Sequence, residues 1–148
     1  MPSSFRFTPK NPAKMVGNRM PVAKSSWEFK FMQRLDTLLN VAAWTYEPKH
    51  LGVYYKCPID GNTKQYIPDF LVQYTNGQVE LIEIKPMQFA HERAAKSLLQ
   101  KIELARNIAK WDSATKTAQQ IGAKFIVLTE KQLFPKKPKI AKPNKVTK

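Results

Sequence analysis

Apolar residues at Trp27, Phe31, Leu35 and Leu38 recur every three to four positions, with Met32 and Leu39 beside them, and predict an amphipathic helix. Ser25 stands at the N-cap position and Glu28 three residues later, the capping-box spacing, and Asn40 marks a stop. Glu28 precedes Leu35 by seven residues and so projects about 20° from that apolar row. An acid there is either a cap or a group aimed into a site. Residues 43–57 read as extended, aromatic-rich chain interrupted near Pro48 and Gly52. Asp60-Gly61-Asn62 is a turn. Gln65 to Tyr74 reads as one strand, Asn76-Gly77 as a hairpin turn, and Val79 to Lys85 as the return strand ended by Pro86.

Apolar positions 95, 98, 99, 102 and 105 predict a helix from Glu92 to Ala105. A second helix is expected over 108–121, with Asn107 as its cap, Ile108, Trp111, Thr115 and Ala118 on one face, and Gly122 closing it. Trp27 and Trp111 are expected in the core. Residues 123–128 predict a short buried strand. The order is helix, extended segments, helices, strand, with no internal repeat.

Charge changes this picture. The chain of 148 residues carries 25 Lys and Arg against 11 Asp and Glu, a net of +14. Residues 1–24 hold five basic residues and residues 131–148 seven lysines, neither with an acid, while the segment between is nearly balanced. The reading is a basic N-terminal arm (1–24), a domain (25–130) and a basic Lys/Pro tail (131–148). Such flanks bind polyanions by releasing counterions. Lys10, Lys14, Arg19, Lys24, Lys110, Lys136, Lys137 and Lys139 are the candidate nucleic-acid contacts. The apolar runs are too short for a membrane span, and a lone Cys57 gives neither a disulfide nor a multi-Cys zinc site. His50 and His91 have no ligand-spaced companions.

The chemistry-bearing residues lie on the hairpin. Side chains alternate along a strand, so Glu83 and Lys85 share a face with Leu81, while Ile82 and Ile84 take the other. Asp69 and Glu83 offer hard oxygen donors suited to Mg²⁺. Lys85 beside them would position water or offset transition-state charge in phosphodiester hydrolysis, and Glu28 would add a ligand or orient a water. Glu47 is either a further site acid or an exposed strand residue. A strict two-residue turn at Asn76-Gly77 would set Asp69 opposite Ile84 and turn it away from Glu83. The site therefore requires an odd offset: a bulge, a three-residue loop, or a twist where Pro68 interrupts pairing.

Pro68-Asp69 with Glu83-Ile84-Lys85 resembles the signature of the PD-(D/E)xK nuclease superfamily, and Glu28 resembles the acid many members place on the first helix. The spacing is also similar to that of phage endonuclease I, a junction-resolving nuclease, and of TnsA-type transposon nucleases. Over most of its length the chain resembles the head-completion nuclease-like proteins of contractile-tailed phages. The resemblance rests on Phe7-Thr8-Pro9-Lys10-Asn11-Pro12, Val16-Gly17, Ser25-Ser26-Trp27-Glu28-Phe29-Lys30-Phe31, Tyr66-Ile67-Pro68-Asp69-Phe70, Ile82-Glu83-Ile84-Lys85-Pro86, Ala109-Lys110-Trp111 and Leu128-Thr129-Glu130-Lys131. It implies an α/β restriction-endonuclease-like α-β-β-β-α-β core with a mixed central sheet flanked by helices. It further implies Mg²⁺- or Mn²⁺-dependent DNA cleavage by Glu28, Asp69, Glu83 and Lys85 near the end of head filling. The expected partners are DNA and portal or head proteins, in the host cytoplasm, with virion incorporation and a homodimer left open. Two alternatives remain at this point: a non-catalytic DNA-binding head protein on a nuclease scaffold, and a junction resolvase.

Overall fold

The structure, a computed structural model, describes residues 5–17, 20–87 and 96–134. Helix α1 (Ser26–Thr37) starts where Ser25 Oγ accepts the Glu28 N–H at 3.1 Å, and it buries Phe31, Met32 and Leu35. Strands β3 (Val41–Tyr46), β6 (Phe70–Tyr74), β7 (Val79–Ile84) and β8 (Lys124–Leu128) form the central sheet in the order β3-β6-β7-β8. The first three pair antiparallel, and β8 joins β7 in parallel after a crossover through α2 (Leu98–Gln120). The run α1-β3-β6-β7-α2-β8 is the expected α-β-β-β-α-β core, with a mixed sheet between helices.

Both faces of the sheet are covered. Ile82, Ile84, Phe70, Val72 and Trp44 pack with Phe31, Met32 and Leu35 of α1. On the other side Leu81 packs with Ala114 of α2 and with a separate hairpin, β4 (Val53–Lys56) and β5 (Thr63–Tyr66), through Val53, Tyr55, Cys57 and Tyr66. A short helix α3 (Glu130–Leu133) follows β8 and buries Leu133. None of the described helices is long and apolar enough to cross a membrane.

Three expectations need correction. The strand read from Gln65 to Tyr74 is two strands in different sheets, because Pro68 cannot donate to a ladder and the chain changes sheets across 67–69. The two helices are one over 98–120: Ser97, not Asn107, is the cap, and its hydroxyl accepts the Gln100 N–H at 3.1 Å. Asn107 is buried inside the helix, and the inward face is Leu104, Asn107, Ala114 and Ala118, so Ile108 and Thr115 face solvent. The part of the predicted helix at 92–95 lies outside the described residues. The two tryptophans placed in the core, Trp27 and Trp111, are only half-buried at its edges.

The N-terminal segment is also built into the fold rather than standing off as an arm. Strands β1 (Phe5–Arg6) and β2 (Val22–Ala23) pair, Phe7, Met15 and Ala23 are buried in the α1-side core, and Val16 N–H donates to Trp44 C=O at 2.9 Å. Asp36, buried near the end of α1, accepts the backbone N–H groups of Lys10 (2.8 Å) and Asn11 (3.0 Å). Lys14 Nζ donates to the carbonyls of Leu35, Asp36 and Leu38. A cation there satisfies orphan helix-end carbonyls and complements the helix dipole. Lys14, a candidate nucleic-acid contact by its charge, thus uses its ammonium to cap the end of α1.

Asp36→Ala removes the buried carboxylate that accepts the Lys10 and Asn11 backbone N–H groups. It should lower stability by about 2–4 kcal/mol, as hydrogen bonds to a charged group imply. Urea unfolding followed by circular dichroism measures it; a loss below the noise would show that the N-terminal segment is not anchored there.

Candidate active site

The β6–β7 turn decides where the acids point. Gly77 N–H donates to Tyr74 C=O at 3.0 Å and Tyr74 N–H to Gln78 C=O at 2.8 Å, so Thr75-Asn76-Gly77 is a three-residue loop. Gly77 takes φ +89°, the left-handed position such a loop requires. The register follows as Gln73↔Val79, Val72↔Glu80, Leu71↔Leu81 and Phe70↔Ile82. Carried one residue further, it sets Asp69 opposite Glu83. This is the odd offset on which the site depends.

Regular pairing stops there, and a side chain takes its place: Asp69 Oδ2 accepts the Ile84 N–H at 2.7 Å. On the other flank Glu47 N–H donates to Asp69 C=O at 2.8 Å. Glu47 has φ +50°, the only positive φ among the described non-glycine residues, and this conformation turns the chain out of β3 ahead of Pro48.

Glu83 is buried, 7% exposed. Its Oε1 accepts the Tyr66 hydroxyl at 2.6 Å, and its Oε2 lies 3.6 Å from Lys85 Nζ. Glu28 Oε1 accepts the Tyr46 hydroxyl at 2.6 Å and the Lys24 N–H at 2.9 Å. The capping box is therefore half-formed: Ser25 caps the helix, and Glu28 accepts from the Lys24 amide and from Tyr46 of β3 rather than from the Ser25 amide. Lys24 Nζ pairs with Glu47 at 2.7 Å on the rim.

The electrostatics bind these groups into one site. Burial, then the carboxylates of Glu83 and Glu28, push the Asp69 carboxyl well above the usual carboxylate range. Burial also raises Glu83, opposed by the Tyr66 hydrogen bond and by the charges of Lys85 and Lys110. Tyr66 and Tyr46 are both raised, first by burial and then by the carboxylates they bond, so both stay protonated donors at neutral pH. Two partly dehydrated acids facing each other across a strand pair suit a hard cation. Mg²⁺ needs only one or two protein carboxylates and keeps several waters. Among the described residues no three His, Cys, Asp or Glu side chains stand close enough to hold an ion by themselves. Asp69 and Glu83 thus form a pair of oxygen donors, and Glu28 is its neighbour rather than a third preformed ligand.

Of the expected DNA contacts, Lys10 and Lys24 have exposed side chains, and Lys110 lies over the ring of Tyr66, the tyrosine that bonds Glu83. Arg19, Lys136, Lys137 and Lys139 lie outside the described residues. Tyr46 and Tyr66, which orient the two glutamates, were not legible as site residues. Tyr66 offered one signal, its place two residues before Pro68-Asp69.

Residues 39–130 match the family described as TnsA-like endonuclease N terminal. The chain belongs to the TnsA-like endonuclease family. It is also 31% identical over 141 residues to the head completion nuclease of Enterobacteria phage T4, covering 88% of this chain and 93% of that protein. Within this family fold, the matched span holds Asp69, Glu83 and Lys85, while Glu28 comes from the helix ahead of it.

Two outcomes follow. A carboxyl whose folded pKa lies above its unfolded value binds more protons folded than unfolded between the two, so metal-free stability falls as pH rises through that window. Asp69→Asn removes this penalty: in EDTA at pH 8 it should be more stable than the parent by on the order of 1 kcal/mol or more, the gain shrinking toward pH 4. Thermal unfolding at both pH values checks it. Tyr66→Phe deletes the donor to Glu83 and should lower nuclease activity about 10–100-fold with little change in fold. Parental activity would show that Glu83 does not depend on that bond.

Proposed function

We propose that this protein is an Mg²⁺-dependent endonuclease that hydrolyses DNA phosphodiester bonds and serves in phage head completion in the host cytoplasm. One observation carries the reading: the β6–β7 register and the Pro68 break bring Asp69, Glu83 and Lys85 together at one end of the sheet. The similarity to the T4 head completion nuclease supports the biological setting. Mn²⁺ is expected to substitute for Mg²⁺.

Asp69 and Glu83 would hold the ion. Bound there, it would polarise the scissile phosphate and acidify a water. The chain's own groups do the remaining work. Lys85 places a positive charge beside Glu83, where it offsets charge building on the phosphoryl oxygens. Glu28 uses Oε1 for Tyr46 and the Lys24 amide, which fixes its carboxylate and leaves Oε2 as an acceptor to orient the attacking water. In the reaction the water oxygen bonds to phosphorus and the bond to the leaving oxygen breaks. The water gives up one proton and the leaving oxygen gains one. The exposed lysines, Lys10 and Lys24 with the lysines of the C-terminal segment, follow backbone phosphates without reading sequence. A purely structural DNA-binding role would not require a lysine beside two dehydrated acids.

Supercoiled plasmid incubated with the purified protein should be nicked or linearised in Mg²⁺ or Mn²⁺, and left intact in EDTA. Lys85→Ala should lose at least about 10³-fold in rate, because charge stabilisation at the phosphoryl group supplies several kcal/mol. If that variant cuts as fast as the parent, the site lies elsewhere.

A further inference from the structure

We propose that Lys110 is a second cation of the cleavage site, seated on a shelf made by Tyr55 and Tyr66, where it grips a backbone phosphate of the strand being cut. This deepens the nuclease reading and rests on it. Lys110 comes from α2, on the side of the sheet opposite α1, and its Nζ stands 5.8 Å from the Tyr55 ring centroid and 5.9 Å from that of Tyr66. Both distances fall within cation–π range. The two rings belong to the β4–β5 hairpin, which lies outside the four-stranded sheet and packs against α2. The same Tyr66 donates its hydroxyl to Glu83 at 2.6 Å, so the shelf adjoins the metal-holding pair.

Four of the described lysines are committed to carboxylates, and Lys110 is not among them. Lys24 pairs with Glu47, Lys64 with Asp60, Lys116 with Asp112, and Lys85 with Glu83. Among the described residues, Lys110 has no carboxylate within ion-pair distance and no hydrogen-bond acceptor on its ammonium. Aromatic faces hold a cation in place without using its N–H donors. An ammonium presented in this way keeps three donors for an incoming anion, and as a compact point charge it suits a phosphate. Lys85 follows β7 and Lys110 comes from α2, so the two would contact different oxygens of the substrate. Lys85 acts where charge develops in the reaction. Lys110, bound to a phosphate before and during it, acts mainly on substrate affinity.

The test is the salt dependence of duplex binding in EDTA, where cleavage is silent. Loss of one phosphate contact reduces the slope of log K against log salt by about 1. Lys110→Gln should show that reduction, together with a rise in KM of about 10-fold and kcat changed by less than about 3-fold, as expected for uniform binding. Lys110→Arg should keep the parental slope. An unchanged slope in Lys110→Gln overturns the proposal even if activity falls, since packing alone would then explain the loss. Should the Gln variant fail to fold, lysine acetylation of the parent with and without duplex decides. Several-fold protection of Lys110 supports the contact, and equal labelling overturns it. Asp69→Asn separates the two readings: cleavage by that variant would sink the metal-site assignment, while the slope measured on Lys110→Gln stands independently.

Discussion

The pairing register of β6 with β7 is the constraint from which the rest of the site follows. A strand has a period of two, so a one-residue change in the connecting loop exchanges its two faces. Here the three-residue loop at Thr75-Asn76-Gly77 fixes Phe70 against Ile82, and so Asp69 against Glu83. The hydrophobic pattern locks the same choice. Ile82 and Ile84 must face α1, and Leu81 must face α2 and the β4–β5 hairpin. A slip would exchange the two faces and carry Glu83 into the α1-side core, so the core protects the site geometry.

That geometry works against folding. Glu83 is buried, Asp69 is half-buried, and the Glu83 carboxylate disfavours ionisation of Asp69. The fold tolerates this through donors drawn from different elements: Tyr66 from β5, Lys85 following β7, the Ile84 amide, and Tyr46 from β3 for the adjoining Glu28. Sites with this balance trade stability for function.

Much of the fold was legible, because α1, β7 and the order of elements declare themselves through periodicity, caps and turn residues. The residues of the candidate site were legible as a motif around Pro68-Asp69 and Glu83-Ile84-Lys85. What could not be read was long-range. Asn107 resembles a cap, but tertiary burial carries the helix through it. Residues 1–24 resemble a basic arm by charge, yet Phe7, Met15 and Ala23 complete the α1-side core and Lys14 closes the end of α1. Charge counts cannot tell a lysine that meets carbonyls from one that meets phosphates. Pro68 gave a local signal of interruption, but not that β5 leaves the central sheet altogether.

Asp69 is held twice by main chain, its carbonyl by the Glu47 amide and its carboxylate by the Ile84 amide. Those two amides belong to segments on either side of it, so the residue can neither swing outward nor rotate about χ1 without breaking a bond. One carboxylate oxygen is committed to the scaffold, and the other is left aimed at a fixed point in space. The polar framework is therefore already arranged before any cation or nucleic acid arrives, and little reorganisation remains for the moment of bond breaking.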